Sequence, residues 1–167
     1  FVESFFGCCV PIDIERTIVK CHKETFKKKE LEKIYLTIPA GVDNDEIISV
    51  MEKGNIYNES KSDVKVHVRV REHNDFKRNG LHLVLKKHIS FKESLCGFKF
   101  NIDHINGKPL NFSSSRGNII QNHDTKVIND LGFQRNNKTG NLIIDFVVSH
   151  PKKKLNDIQL EFIEQNF

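Results

Sequence analysis

Val64-Lys65-Val66-His67-Val68-Arg69-Val70-Arg71 sets four valines at every second position with a polar residue after each. Successive side chains of an extended chain point to opposite faces, so the valines share one face and the polar residues the other. The stretch is predicted to be a half-buried strand of antiparallel type, because strands covered on both faces read as unbroken apolar runs. The same period of two recurs in Val10, Ile12 and Ile14, in Ile34, Leu36 and Ile38, in Leu81, Leu83 and Leu85, and in Phe98, Phe100 and Ile102. Turn signals lie between these runs: Pro39-Ala40-Gly41, Lys53-Gly54-Asn55, Asn79-Gly80, Asn106-Gly107, Arg116-Gly117-Asn118 and Thr139-Gly140-Asn141. Asn106-Gly107 is the clearest hairpin, since strand-like segments flank it closely.

Helical signals are few. Ser90-Phe91-Lys92-Glu93 reads as a capping box, and Gly97 supplies a stop, which predicts a short helix over 91–96. From Asn156 to about 165 an Asn cap with Gln159 at the third helical position precedes Leu160, Phe162 and Ile163, the pattern of an amphipathic C-terminal helix. Residues 2–6 form a weaker turn ended by Gly7. The fold class is therefore mainly β, with two similar β-rich halves meeting near 86–90 and no strict sequence repeat between them.

The 167 residues suffice for one ordinary domain or two small ones. A net charge of +4 is spread over interleaved acids and bases, with only the short runs Lys27-Lys28-Lys29 and Lys152-Lys153-Lys154, so neither a nucleic-acid stripe nor a membrane partner is expected. No apolar run reaches the length of a membrane span. Cys8, Cys9, Cys21 and Cys96 form no C-x-x-C pair, which speaks against a zinc or redox module and for reduced thiols in a reducing compartment such as the cytoplasm. Cys21-His22 invites a Cys–His dyad, yet neighbours on an extended segment face apart. No metal ligand set, cofactor fingerprint or nucleophile motif occurs, and an enzyme is not expected.

Several strings then fall into order: Pro11-Ile12-Asp13-Ile14-Glu15-Arg16, Thr37-Ile38-Pro39-Ala40-Gly41-Val42, Phe76-Lys77-Arg78-Asn79-Gly80, Ser90-Phe91-Lys92-Glu93-Ser94-Leu95-Cys96-Gly97 and Gly140-Asn141-Leu142-Ile143-Ile144. Together, from about Val2 to the end, they resemble the C-terminal substrate-binding region of Hsp40 (DnaJ-type) co-chaperones. The resemblance implies two tandem β-sandwich-like domains, 1–88 and 89–154, joined by the short capped helix, and a dimerisation helix over 155–167. It also implies that the first strand of the first domain precedes Phe1. No His-Pro-Asp tripeptide and no repeated C-x-x-C-x-G-x-G module is present, so the chain looks like the C-terminal part of a type II member.

By the same resemblance the chain is expected to bind extended apolar stretches of unfolded client polypeptides and to hand them to Hsp70, without a cofactor. Strand addition would supply sequence-independent backbone bonds, and small apolar pockets would choose side chains. Carried over by motif position, Ile12, Ile14 and Phe76 line the client groove. Ile12 and Ile14 share a face with Val10 and equally fit a core, whereas Phe76 in a polar turn reads as an exposed aromatic. Asp13 and Glu15 flank Ile14 and oppose an acidic Hsp70 tail, with Lys33, Lys77 and Arg78 as compensating contacts, so tail binding is expected to be weaker and more salt-sensitive than client binding. Ile158, Phe162 and Ile163 on the last helix are expected to pair two copies in a homodimer, the alternative being that they pack on their own domain. A β-sandwich adaptor that binds one specific protein has the same strand patterning and is the competing reading.

Overall fold

A computed structural model describes residues 1–21 and 25–166. In chain order it contains α1 (Val2–Phe6), β1 (Cys8–Cys21), β2 (Thr25–Ile38), β3 (Ile47–Val50), β4 (Ile56–Tyr57), β5 (Ser60–Lys61) and β6 (Val64–His67). There follow β7 (Phe76–Asn79), β8 (His82–Ser90), α2 (Phe91–Cys96), β9 (Phe98–Asp103), β10 (Pro109–Ser114) and β11 (Thr125–Ile128). The chain ends with β12 (Gln134–Arg135), β13 (Lys138–Thr139), β14 (Leu142–Ser149) and α3 (Asp157–Asn166). Strands dominate, as the period of two required.

Two compact units are present: Phe1–Leu83 with Ile128–Leu142, and Val84–Val127 with Ile143–Phe167. The segment 128–142 packs with the first unit, whereas the expected domain bounds keep 89–154 continuous. Nothing local in that segment announces a long-range partner.

In the first unit β1 and β2 form a long antiparallel hairpin, in register from Cys8 opposite Ile38 to Cys21 opposite Thr25. β1 is also paired with β4, in parallel, at Ile18 and Val19 only, which gives the sheet order β2-β1-β4-β5. β3 and β6 form a separate antiparallel pair. The core of this unit holds Ile34, Leu36, Val42, Phe76, Leu83, Phe133 and Leu142. Phe133 is fully buried between the rings of Phe1 and Phe5, at 5.4 and 5.1 Å between centroids. The Cys21-His22 dyad falls partly outside the described residues; the Cys21 sulfur lies 3.7 Å from the Tyr57 hydroxyl. All four cysteines are unpaired.

The expected capping box of α2 is present: the Ser90 hydroxyl accepts from the Glu93 amide, and the Glu93 carboxylate accepts from the Ser90 amide. β9 and β10 flank Asn106-Gly107 as the expected hairpin. The second unit buries Leu85, Ile89, Ile102, Ile144 and Phe146, and Phe98, Phe100 and Phe146 meet ring to ring.

An internal repeat emerges from the backbone that the sequence shows only as a fragment. Glu3-Ser4-Phe5-Phe6-Gly7 and Glu93-Ser94-Leu95-Cys96-Gly97 each close a short helix with a bond from the glycine amide to the glutamate carbonyl. Each glycine has positive φ, 77° and 84°, and each is followed by the first strand of a hairpin. A side chain on either glycine would strike the backbone at the hairpin's end, Ile38 to Ala40 in one and Ser114 to Arg116 in the other.

The valine stretch corrects one expectation. Only 64–67 are paired as a strand, β6; 68–71 continue the alternation, with Val68 and Val70 half-buried and Arg69 and Arg71 exposed, and beyond the backbone bonds of Val68 with Asp45 and Glu46 no strand lies beside them among the described residues. Alternation reports which face is covered, not whether an edge is paired.

Candidate functional site

Among the described residues, an edge of β1 and an edge of β6 in the first unit carry no neighbouring strand over part of their length. Along β1 the Val19 carbonyl accepts from the Asn58 amide, and the amides of Thr17 and Cys21 donate to the Asn55 and Asn58 side chains. Odd-numbered residues of β1 therefore turn their backbone groups away from β2. Beyond this short contact, at Cys9, Pro11, Asp13 and Glu15, no strand pairs with that edge among the described residues. Pro11, which has no N–H to give, sits mid-strand because its missing donor faces this open side. Just past β6 the Val68 amide donates to the Glu46 carbonyl, and the Val68 carbonyl accepts from the Asp45 amide. Lys65, His67 and Arg69 thus point their backbone groups to the opposite edge, where the described residues place no strand.

A groove of about 370 Å³ runs beside the 68–71 segment. Its apolar lining comes from Phe1, Cys8, Val10, Ile38, Val42, Val68 and Val70, and its charged lining from Glu3, Arg69 and Arg71. Phe1, Val70 and Arg71 also line an adjoining hollow of about 420 Å³, with His73, Phe76, Lys77 and Arg78. A backbone edge beside an apolar floor can accept an extended chain.

The expected site residues divide. Ile12 and Ile14 are half-buried on the inner face of β1, opposite Ile34 and Glu32, and line neither hollow. Phe76 lines the second hollow, but it is buried, 3% exposed, rather than the exposed aromatic its polar neighbours suggested. Its ring lies 5.3 Å from that of His73, which in turn meets Phe1 at 5.5 Å. Lys77 is exposed on the rim of that hollow. Lys33 stands opposite Asp13 on the outer face of the hairpin, 3.9 Å away, and Lys29 is ion-paired with Glu15. The two acids expected to repel a tail therefore already face lysines.

Arg78, expected as a compensating contact for an acidic tail, already has its donors engaged within the unit. Its Nη1 donates to the Val42 carbonyl at 2.5 Å and to the Ser4 hydroxyl at 3.2 Å, its Nη2 to the Gly41 carbonyl at 2.8 Å, and its Nε to the Gly80 carbonyl at 2.8 Å. The guanidinium lies 4.3 Å above the Phe133 ring. Through these carbonyls the arginine holds the end of the Pro39-Ala40-Gly41 loop. Sequence inspection missed Val68, Val70, Arg69 and Arg71 as groove residues. Their alternation was visible, but the open edge was not.

Glu46 closes the loop beneath Val68 by accepting from Arg135 at 2.5 Å and from the Asp43 amide at 3.0 Å. The Arg135 hydrogen bond, then the Asp43 amide, hold its carboxyl below the ordinary value of 4.5. A carboxyl depressed in the folded chain contributes stability above its unfolded value that is lost as pH falls. Glu46→Gln is therefore expected to lower stability at neutral pH and to flatten the loss of stability below about pH 4.5. Urea midpoints measured across that range check this; parallel acid limbs in the two proteins would refute it.

In the second unit, α3 is capped as expected: the Asn156 side chain accepts from the Gln159 amide and the Gln159 side chain accepts from the Asn156 amide. No residue of α3 is buried, and Ile158, Phe162 and Ile163 are 78%, 62% and 39% exposed. Phe167 lies outside the described residues. Among the described residues no helix is long and apolar enough to cross a membrane.

The repeated helix–glycine–hairpin unit belongs to a β-rich module. Residues 1–151 match the family model of the DnaJ C-terminal domain. The chain belongs to the DnaJ C-terminal domain family. It is 32% identical over 137 residues to a Chaperone protein DnaJ of Borrelia garinii, covering 80% of this chain and 37% of that protein. It is 36% identical over 92 residues to DnaJ protein homolog 1 of Allium porrum, 53% of this chain and 23% of the relative. It is 34% identical over 95 residues to DnaJ homolog subfamily A member 4 of Mus musculus, 55% and 24% respectively. The chain thus spans between about a quarter and two fifths of the length of these relatives.

Proposed function

We propose that the chain is the client-binding module of an Hsp40 co-chaperone, which takes extended apolar segments of unfolded proteins as an added strand and passes them to Hsp70. The observation that supports this reading is the edge of β1 at residues 9–15, which no strand fills among the described residues, beside the apolar face of Val10, Ile12 and Ile14 that forms its floor. Strand addition satisfies the backbone of any sequence, while the floor rewards large apolar side chains. Ile12 and Ile14 continue the apolar face of β1 beyond Val10, and Phe76 backs the neighbouring hollow. Lys77 is the exposed cation of the Phe76-Lys77-Arg78 turn and the contact we assign to an acidic Hsp70 tail. Four unpaired cysteines suit a reducing compartment such as the cytoplasm.

The exposed stripe Ile158, Phe162 and Ile163 makes α3 the dimerisation element, so that two grooves hold one client by avidity. The test compares the intact chain with a truncation ending at 155, by sedimentation and by suppression of aggregation of several unrelated, chemically unfolded proteins. The intact chain is expected to sediment as a dimer and to protect all of them; the truncation should be monomeric and about a hundredfold weaker. Saturable binding of one ligand without protection of the others would support an adaptor instead, and a monomer in both forms would refute the dimer.

A further inference from the structure

Over 149–166 every residue is exposed, and over 150–156, between β14 and α3, the chain forms neither strand nor helix. This tether reads His150-Pro151-Lys152-Lys153-Lys154-Leu155-Asn156. Among the described residues no backbone hydrogen bond ties 150–155 to the rest of the chain, and no carboxylate lies within ion-pair distance of the three lysines. The His150 ring, ahead of them, lies 5.6 Å from that of Phe91. The other described lysines and arginines sit in strands or in α2, apart from Lys53, Arg69, Arg71, Lys108 and Arg116. Each of these five has a tied neighbour. The Gly54 amide donates to Ser62, the amides of Val68 and Val70 to Glu46 and the Asn44 side chain, and the Gly117 amide to Leu95. Lys108 closes the Asn106-Gly107 turn, its carbonyl accepting from the His104 amide.

We infer that the Lys152-Lys153-Lys154 tether is a cleavage site for endoproteases that cut after basic residues, through which α3 is shed while both units stay folded. An endoprotease needs several residues of extended, unpaired chain around the bond it cuts, and paired segments must first open against the local or global stability. The tether meets this need on both sides. Upstream the chain is unpaired back to the end of β14, and downstream α3 has ten residues with none buried, a helix too short to be stable by itself. In the cut, water adds across the peptide bond after a lysine, leaving a carboxylate on that lysine and a new amine on the next residue. Resting on the reading of α3 as the dimerisation element, the same cut converts a dimer into monomers and removes the avidity of two joined binding units.

The probe is trypsin at low dose on the intact chain, with products identified by mass and association followed by sedimentation. Cutting after Lys152, Lys153 or Lys154 is expected to run at least about tenfold faster than cutting anywhere else. The product should resist further digestion, keep the strand signature in circular dichroism and sediment as a monomer. Lys152→Gln with Lys153→Gln and Lys154→Gln, all exposed, should slow the first cut about tenfold and preserve the dimer under the same treatment. A first cut at Arg69, Arg71, Arg116 or any strand would overturn the site, as would a triple variant digested as fast as the parent. Loss of the strand signature on cutting would overturn the claim that α3 is shed from folded units. A chain already monomeric before cutting would overturn the dimer reading, while early cutting at 152–154 would still support the site.

Discussion

Arg78→Ala should destabilise the first unit by about 3 to 5 kcal/mol. The Arg78 side chain is 12% exposed and spends its guanidinium on the carbonyls of Gly41, Val42 and Gly80 and on the Ser4 hydroxyl. Truncation leaves the Gly41 carbonyl without this donor, at about 1 to 3 kcal/mol for a buried group, and opens a cavity over Phe133. The stacked cation adds up to about 2 kcal/mol where water is excluded. Val42 loses less, since its carbonyl also accepts from Ser4 at 2.7 Å. The ion pair with Asp43, 3.7 Å away with the acid 65% exposed, contributes little. Arg78→Lys keeps the charge but not the fork, so it should recover less than half of the loss. Denaturant unfolding of the three proteins measures this, and a loss below about 1 kcal/mol for the alanine variant would show that the carbonyls find other partners.

Gly140→Ala is expected to cost about 3 kcal/mol or more, or to abolish soluble folding. A Cβ at Gly140 would overlap the Leu81 carbonyl and come within 2.9 Å of the His82 amide nitrogen. The obstacle cannot yield, because the Leu81 carbonyl accepts from Phe133 at 2.8 Å and the Leu83 amide donates to Asn141 at 2.9 Å. Gly140 itself is held by a bond from its amide to the Phe133 carbonyl and one to its own carbonyl from Gly132. Gly117 is the contrast: its φ is 80°, but a Cβ there meets nothing within 4 Å, so Gly117→Ala should cost only the local conformational penalty of about 1 kcal/mol. Thermal midpoints of the two variants decide the point. Equal shifts would mean that backbone conformation, not close approach, requires Gly140.

Both residues were visible in the sequence with a different meaning. Gly140 reads as turn punctuation beside Thr139 and Asn141, and Arg78 as a surface cation beside Lys77 and Asn79. Phe76 likewise reads as exposed because its neighbours Asp75 and Lys77 are charged, yet it packs beneath His73. For Gly140 and Arg78 the deciding partner is distant along the chain: Leu81 for Gly140, Gly41 and Val42 for Arg78.

What the amino-acid sequence determines by itself is whatever depends on neighbours a few residues away. The period of two fixes the strand faces, Ser90 and Glu93 close a capping box three residues apart, Asn156 and Gln159 cap the last helix, and Asn106-Gly107 turns a hairpin. Tertiary structure alone decides which edges are filled. Val64 to Val70 alternate without a break, but backbone pairing ends at Val68, because the partner segment is set by the path of the whole chain. The open edge that carries the proposed function follows from how the strands are paired, which alternation alone does not specify.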